Sequence, residues 1–109
     1  MKDPRRMPSS SADALHVAMR LEGLPPSDFD DLLWIMAQES AGVPGARNGG
    51  STASGLFQLL EAQREQFYPD GDSSVGKPIE EAEGGIRYIL NRYGSVAAAR
   101  RFWEIHHWY

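Results

Sequence analysis

Apolar residues recur along this chain at helical spacing. Phe29, Leu32, Leu33 and Met36 fall at i, i+3, i+4 and i+7, so a helix ending near Ser40 carries them on one face. Ser27 stands at its cap position, and Asp28, Asp30 and Asp31 suit a positive helix N-terminus. Upstream, Leu15, Ala18 and Met19 keep a helical period from about Ala12, with one of Ser9, Ser10 and Ser11 as cap and Gly23 and Pro25-Pro26 as stop. A third helix is expected from Gly55 to Phe67, closed by Pro69-Asp70-Gly71. A fourth opens at Pro78, a good first helical residue, turns Ile79, Ala82, Ile86, Ile89 and Leu90 inward, and ends at Gly94. Ser95 then caps a fifth, which runs into Phe102-Trp103. No segment alternates as a strand does. The pattern predicts a mainly α single domain of about five helices with long loops at 41–54 and 70–77 and at most a short β-hairpin, behind a flexible lead over residues 1–11.

Composition narrows the picture little. With 109 residues the chain makes one domain. There is no cysteine, so disulfides and thiolate metal sites are excluded. A net charge of −4 without a basic stripe argues against nucleic acid as partner. No apolar run approaches the roughly 20 residues of a membrane span, so no membrane insertion is expected. The basic start Met1-Lys2-Asp3-Pro4-Arg5-Arg6 has no apolar stretch behind it and does not read as a secretory signal. Synthesis in the cytoplasm without an export route of its own is the expectation that follows.

The candidate chemistry begins at Glu39. Continuing the helical wheel at about 100° per residue places Glu39 beside Leu32, on the edge of the apolar face. A carboxyl group there, at a helix end before an open glycine-rich loop, is placed to keep its proton near neutral pH, because burial penalises the anion. Glycoside cleavage needs such a proton for the leaving oxygen. A surface glutamate at a helix C-terminus is the plainer reading of that residue taken alone.

The steps Glu39-Ser40-Ala41-Gly42-Val43-Pro44 and Ala53-Ser54-Gly55-Leu56-Phe57-Gln58 change that reading. Together they resemble the soluble lytic transglycosylase family, which has a lysozyme-like fold. Gly84-Gly85-Ile86-Arg87-Tyr88-Ile89 is similar to the family's Ala-Gly-x-x-Tyr-Leu helix, with Gly84 where alanine is usual. Asn91-Arg92-Tyr93-Gly94-Ser95 and the closing Trp108-Tyr109 resemble the transglycosylase domains of phage tail and lysis proteins. The likeness covers roughly residues 27–109. It implies that Glu39 is general acid and then base in cleaving the MurNAc–GlcNAc β-1,4 bond of peptidoglycan, with a 1,6-anhydro-MurNAc product and no cofactor. It also implies that Gln58 and the backbone around Ser54, Gly55 and Phe57 hold the N-acetyl sugar, and that Tyr88 lines the groove or fills the core. Trp103 stands roughly where relatives carry the tyrosine of an Ala-Tyr-Asn-x-Gly motif; it either stacks on a sugar or packs inside. The implied partner is the glycan strand, met by a monomer or by a module of a larger assembly that is phage-borne or delivered by a machine.

Asp and Glu are absent from residues 41–60. A one-carboxylate mechanism fits that absence; the nearest candidates for a second carboxylate are Glu61, Asp70, Asp72 and Glu83, of which Glu83 is most able to supply it. A hydrolytic muramidase of the same fold and a non-catalytic wall-binding or virion structural domain are the two alternatives. His106 and His107 are adjacent and cannot face one metal from one helix side, so with His16 they make no metal set. Arg100-Arg101 reads as a solvated face.

Overall fold

A computed structural model describes residues 2–107. The closing Trp108-Tyr109 pair lies outside the described residues. Five α-helices follow in order: α1 Ser9–Leu21, α2 Phe29–Ser40, α3 Glu61–Phe67, α4 Pro78–Tyr93 and α5 Val96–His106. Helix α1 packs on α4, α2 on α5, and α3 on α4. Their shared core holds Leu15, Met19, Leu32, Ile35, Met36, Leu56, Phe57, Ile86 and Ile89, all buried. Helix α2 is apolar on more than one face: Trp34, Ile35 and Ala37 are buried beside Leu32 and Met36. In the last turn of α2 Ser40 is buried, while Gln38 and Glu39 are half-buried.

The expected ends hold where a residue's backbone preference decides them. Pro78 opens α4, Gly94 closes it with φ +81°, and the Ser95 hydroxyl accepts the Ala98 N–H at the start of α5. They move where tertiary contacts decide. Helix α1 starts at Ser9, not Ala12, with the Pro8 carbonyl accepting the Ser11 and Ala12 N–H groups. The Ser11 hydroxyl is spent instead on the Gly42 carbonyl at 2.6 Å. The expected lead over 1–11 contains a 3-10 turn at Pro4–Arg6, and Met7 packs against the core. Ser27 does not cap α2; a 3-10 turn, Pro26–Asp28, leads into it. Ile79, expected inward, is 38% exposed.

The largest departure is the third helix, which covers only Glu61–Phe67. Gly55 and Gln58 have φ +89° and +53°, values a right-handed helix excludes. Residues 54–59 form instead a tight turn, closed by a reciprocal bridge between the Ser54 and Leu59 backbones at 3.0 and 3.1 Å. Gly55 is confined as well as twisted. A Cβ there would come within 2.5 Å of the Tyr68 hydroxyl and 3.0 Å of Glu81 Oε1. Close approach also explains Gly84-Gly85: a Cβ on Gly84 would run into the Tyr68 ring, and one on Gly85 into the Phe57 ring.

Candidate active site

Glu39 occupies the last turn of α2, half-buried. Ser40 and Ala41 explain why the chain turns there. Ala41 takes the left-handed conformation at φ 53° and ends the helix. The buried Ser40 hydroxyl donates to the Leu56 carbonyl at 2.7 Å and accepts the Gly42 N–H at 3.1 Å. This is the physical link between the Glu-Ser step and the Gly-Leu-Phe-Gln step: the serine ties the end of α2 to the turn sixteen residues on.

The Trp103 indole N–H donates to Glu39 Oε2 at 2.6 Å. Trp103 is half-buried on α5 and stands edge-on to Trp34 of α2, with ring centroids 5.2 Å apart. It thus touches the carboxyl group directly, a role outside the two foreseen for it. Burial pushes the Glu39 pKa above the ordinary glutamate value, while the Trp103 hydrogen bond and the Lys2 charge pull against that rise. The Asn48 side chain donates to the Glu39 backbone carbonyl at 2.6 Å, anchoring the glycine loop to the same helix end. Tyr93 also feels the Glu39 charge; its hydroxyl is pushed up to about 12, chiefly by burial.

Gln58 is half-buried, and its Nε2 donates to the Ala46 carbonyl at 2.7 Å and the Gly55 carbonyl at 2.9 Å. It therefore grips the glycine loop across the turn. Ser54, Gly55 and Phe57 are buried, and the Phe57 side chain lies wholly in the core. The N–H and carbonyl groups of Ser54 and Gly55 are all engaged within the turn and with the Ala46 carbonyl. Tyr88 is also in the core, edge-on to Phe67 and Tyr93, and its hydroxyl accepts from Arg92 at 3.1 Å.

Glu83 has other partners. Arg87 lies 3.6 Å from it and pairs more closely with Glu22 at 2.9 Å. The Arg87 hydrogen bond holds Glu22 below its ordinary value, whereas burial and the neighbouring Glu22 push Glu83 up. Arg100 is not a solvated cation; it pairs with Asp31 at 3.0 Å and lies over the Trp34 ring. His16 stacks on Phe29, and His106 packs on Phe102. An open groove of about 630 Å³ between α1 and the start of α4 holds none of the expected site residues.

Two residues important to the local geometry escaped the sequence reading. Asn48 looks like any polar loop residue, and no local signal marks it. Glu81 looks like an ordinary acidic residue in the first turn of a helix, yet it is fully buried. Its spacing from Gly85 and Tyr88, i+4 and i+7, was the available sign that it faces inward.

No curated protein and no solved structure matches this chain. The family model of the transglycosylase SLT domain matches residues 25–106, and the chain belongs to that family, which acts on peptidoglycan.

Proposed function

We propose that this domain is a peptidoglycan lytic transglycosylase in which Glu39 carries both proton transfers. The observation that carries the reading is the half-buried Glu39 carboxyl group, raised in pKa by burial and held at 2.6 Å by the Trp103 indole. A raised pKa keeps a proton available for the glycosidic oxygen between MurNAc and GlcNAc. That proton goes to the leaving O4 of GlcNAc as the bond to C1 of MurNAc breaks. The acetamido carbonyl of MurNAc supports C1 during the step. Glu39, now anionic, takes the proton of the MurNAc 6-hydroxyl, and O6 closes onto C1. The product is 1,6-anhydro-MurNAc, Glu39 is again protonated, and no water is consumed. Indole donation favours the anionic form of the carboxyl, so Trp103 eases release of the proton in the first half of this cycle, while burial favours its return in the second. Gln58 would meet the N-acetyl sugar through Oε1, an acceptor for the acetamido N–H, because its Nε2 already donates to the Ala46 and Gly55 carbonyls. Engagement of Glu83 with Arg87 and Glu22 supports a mechanism with one carboxylate.

The test is mass spectrometry of the fragments released from purified sacculi by wild type and Glu39→Gln. Anhydro-MurNAc ends from the wild type, lost in the variant, are expected. Reducing MurNAc ends would replace the mechanism with hydrolysis and direct attention to Glu83. Binding to sacculi without any release would favour a non-catalytic wall-binding domain.

A further inference from the structure

Glu81 is a fully buried carboxylate on the first turn of α4 with no ion pair among the described residues. What balances it is backbone. Oε1 accepts the Leu56 N–H at 2.7 Å, and Oε2 accepts the N–H groups of Gly45 at 2.9 Å and Gly76 at 2.6 Å. The three donors belong to three separate segments: the glycine loop, the 54–59 turn and the loop before α4. Burial pushes the carboxyl upward in pKa, and the three amides oppose that.

Two of these segments are gripped from both sides. The Leu56 N–H goes to Glu81 on α4, while its carbonyl accepts from Ser40 on α2, the residue next to Glu39. The Gly45 N–H goes to Glu81, while the neighbouring Ala46 carbonyl accepts from the Gly55 N–H and from Gln58. The path from Glu81 to Glu39 therefore passes only through Leu56 and Ser40, and the path to Gln58 only through Gly45 and Ala46.

We propose that Glu81 is the positioning residue of the glycan site: its carboxylate locks the glycine loop and the 54–59 turn against α2, and so holds Gln58 and the loop backbone in register with Glu39. The inference rests on reading Glu39 and Gln58 as the glycan-handling residues. A glutamine at 81 keeps one oxygen for Leu56 but turns an amide donor toward the Gly45 and Gly76 N–H groups, donor against donor. Glu81→Gln thus nearly preserves shape while releasing the two glycine-bearing loops.

The experiment uses the full chain in a Glu39→Gln background, which binds without cleaving. Hydrogen exchange across 43–50 and 75–77 and affinity for a soluble hexamer of N-acetylglucosamine are compared with and without Glu81→Gln. Faster exchange in both loops, unchanged protection in α2 and α4, and an affinity weaker by about tenfold or more are expected. Unchanged loop exchange would overturn the inference. So would loosened loops with unchanged affinity, because Glu81 would then hold the loops without serving the site. If Glu39→Gln alone binds no hexamer, the glycan reading of the site fails, and the inference with it; loop exchange still shows whether the clamp exists. Should Glu81→Gln not melt cooperatively, Ser40→Ala releases the Leu56 carbonyl from the α2 side. It is expected to weaken affinity in the same way, and wild-type affinity in Ser40→Ala would overturn the inference.

Discussion

The role proposed for Glu39, to give a proton and then take one back, is served by opposed neighbours, and Glu39 has them. Burial favours its neutral form; the Trp103 indole and the Lys2 charge favour the anion. Glu39→Gln is expected to lower sacculus turnover by about 10² to 10⁴-fold, the usual contribution of a positioned acid or base. The same substitution should raise stability above pH 5. The folded-state pKa is raised, so the stability that protonation contributes is full below the unfolded value and fades as pH rises through the folded one. Thermal melts at pH 4 and pH 8 check this: the wild type should fall increasingly behind the variant at the higher pH. Trp103→Phe removes a bond that favours the anion, so the alkaline fall of kcat/KM should move to higher pH, as a pH–rate profile would show. Glu39 itself was legible, because a helical wheel and two short motifs single it out. Its partner was not, because the contact spans 64 residues and depends on how α5 docks on α2.

At the scale of elements, helices with a strong apolar period were legible and the 54–59 turn was not. Gly-Leu-Phe-Gln-Leu-Leu is rich in apolar residues but short, and periodicity alone does not distinguish such a run from a helix start. The deciding contacts come from elsewhere, from Ser40 on α2 and Glu81 on α4. Gly84 on α4 was noticed only as a departure from alanine, and the Tyr68 ring beside it gives the reason. Gly84→Ala should therefore destabilise the fold by about 1–3 kcal/mol, the usual cost of overpacking, measurable by urea denaturation. At the next joint, Ser95→Ala should cost about 1 kcal/mol through loss of the Ala98 cap.

Across the whole molecule, the five-helix plan follows from local pattern, whereas the association of its loops is written in side chains distant in sequence. The first residues belong to that second class. The Lys2 backbone exchanges hydrogen bonds with the Gln38 side chain at 3.1 and 2.8 Å, and the Lys2 ammonium reaches the Gln38 carbonyl at 3.5 Å. This brings the Lys2 charge to bear on Glu39. Lys2→Ala should raise the Glu39 pKa and shift the alkaline limb upward, again read from the pH dependence of kcat/KM. Attachment at this end of the chain thereby becomes a chemical variable. An acidic linker or tag joined ahead of Lys2 would offset the ammonium, and a basic one would reinforce it. Two preparations identical from Ser9 onward would then work best at different pH, set by what each carries upstream.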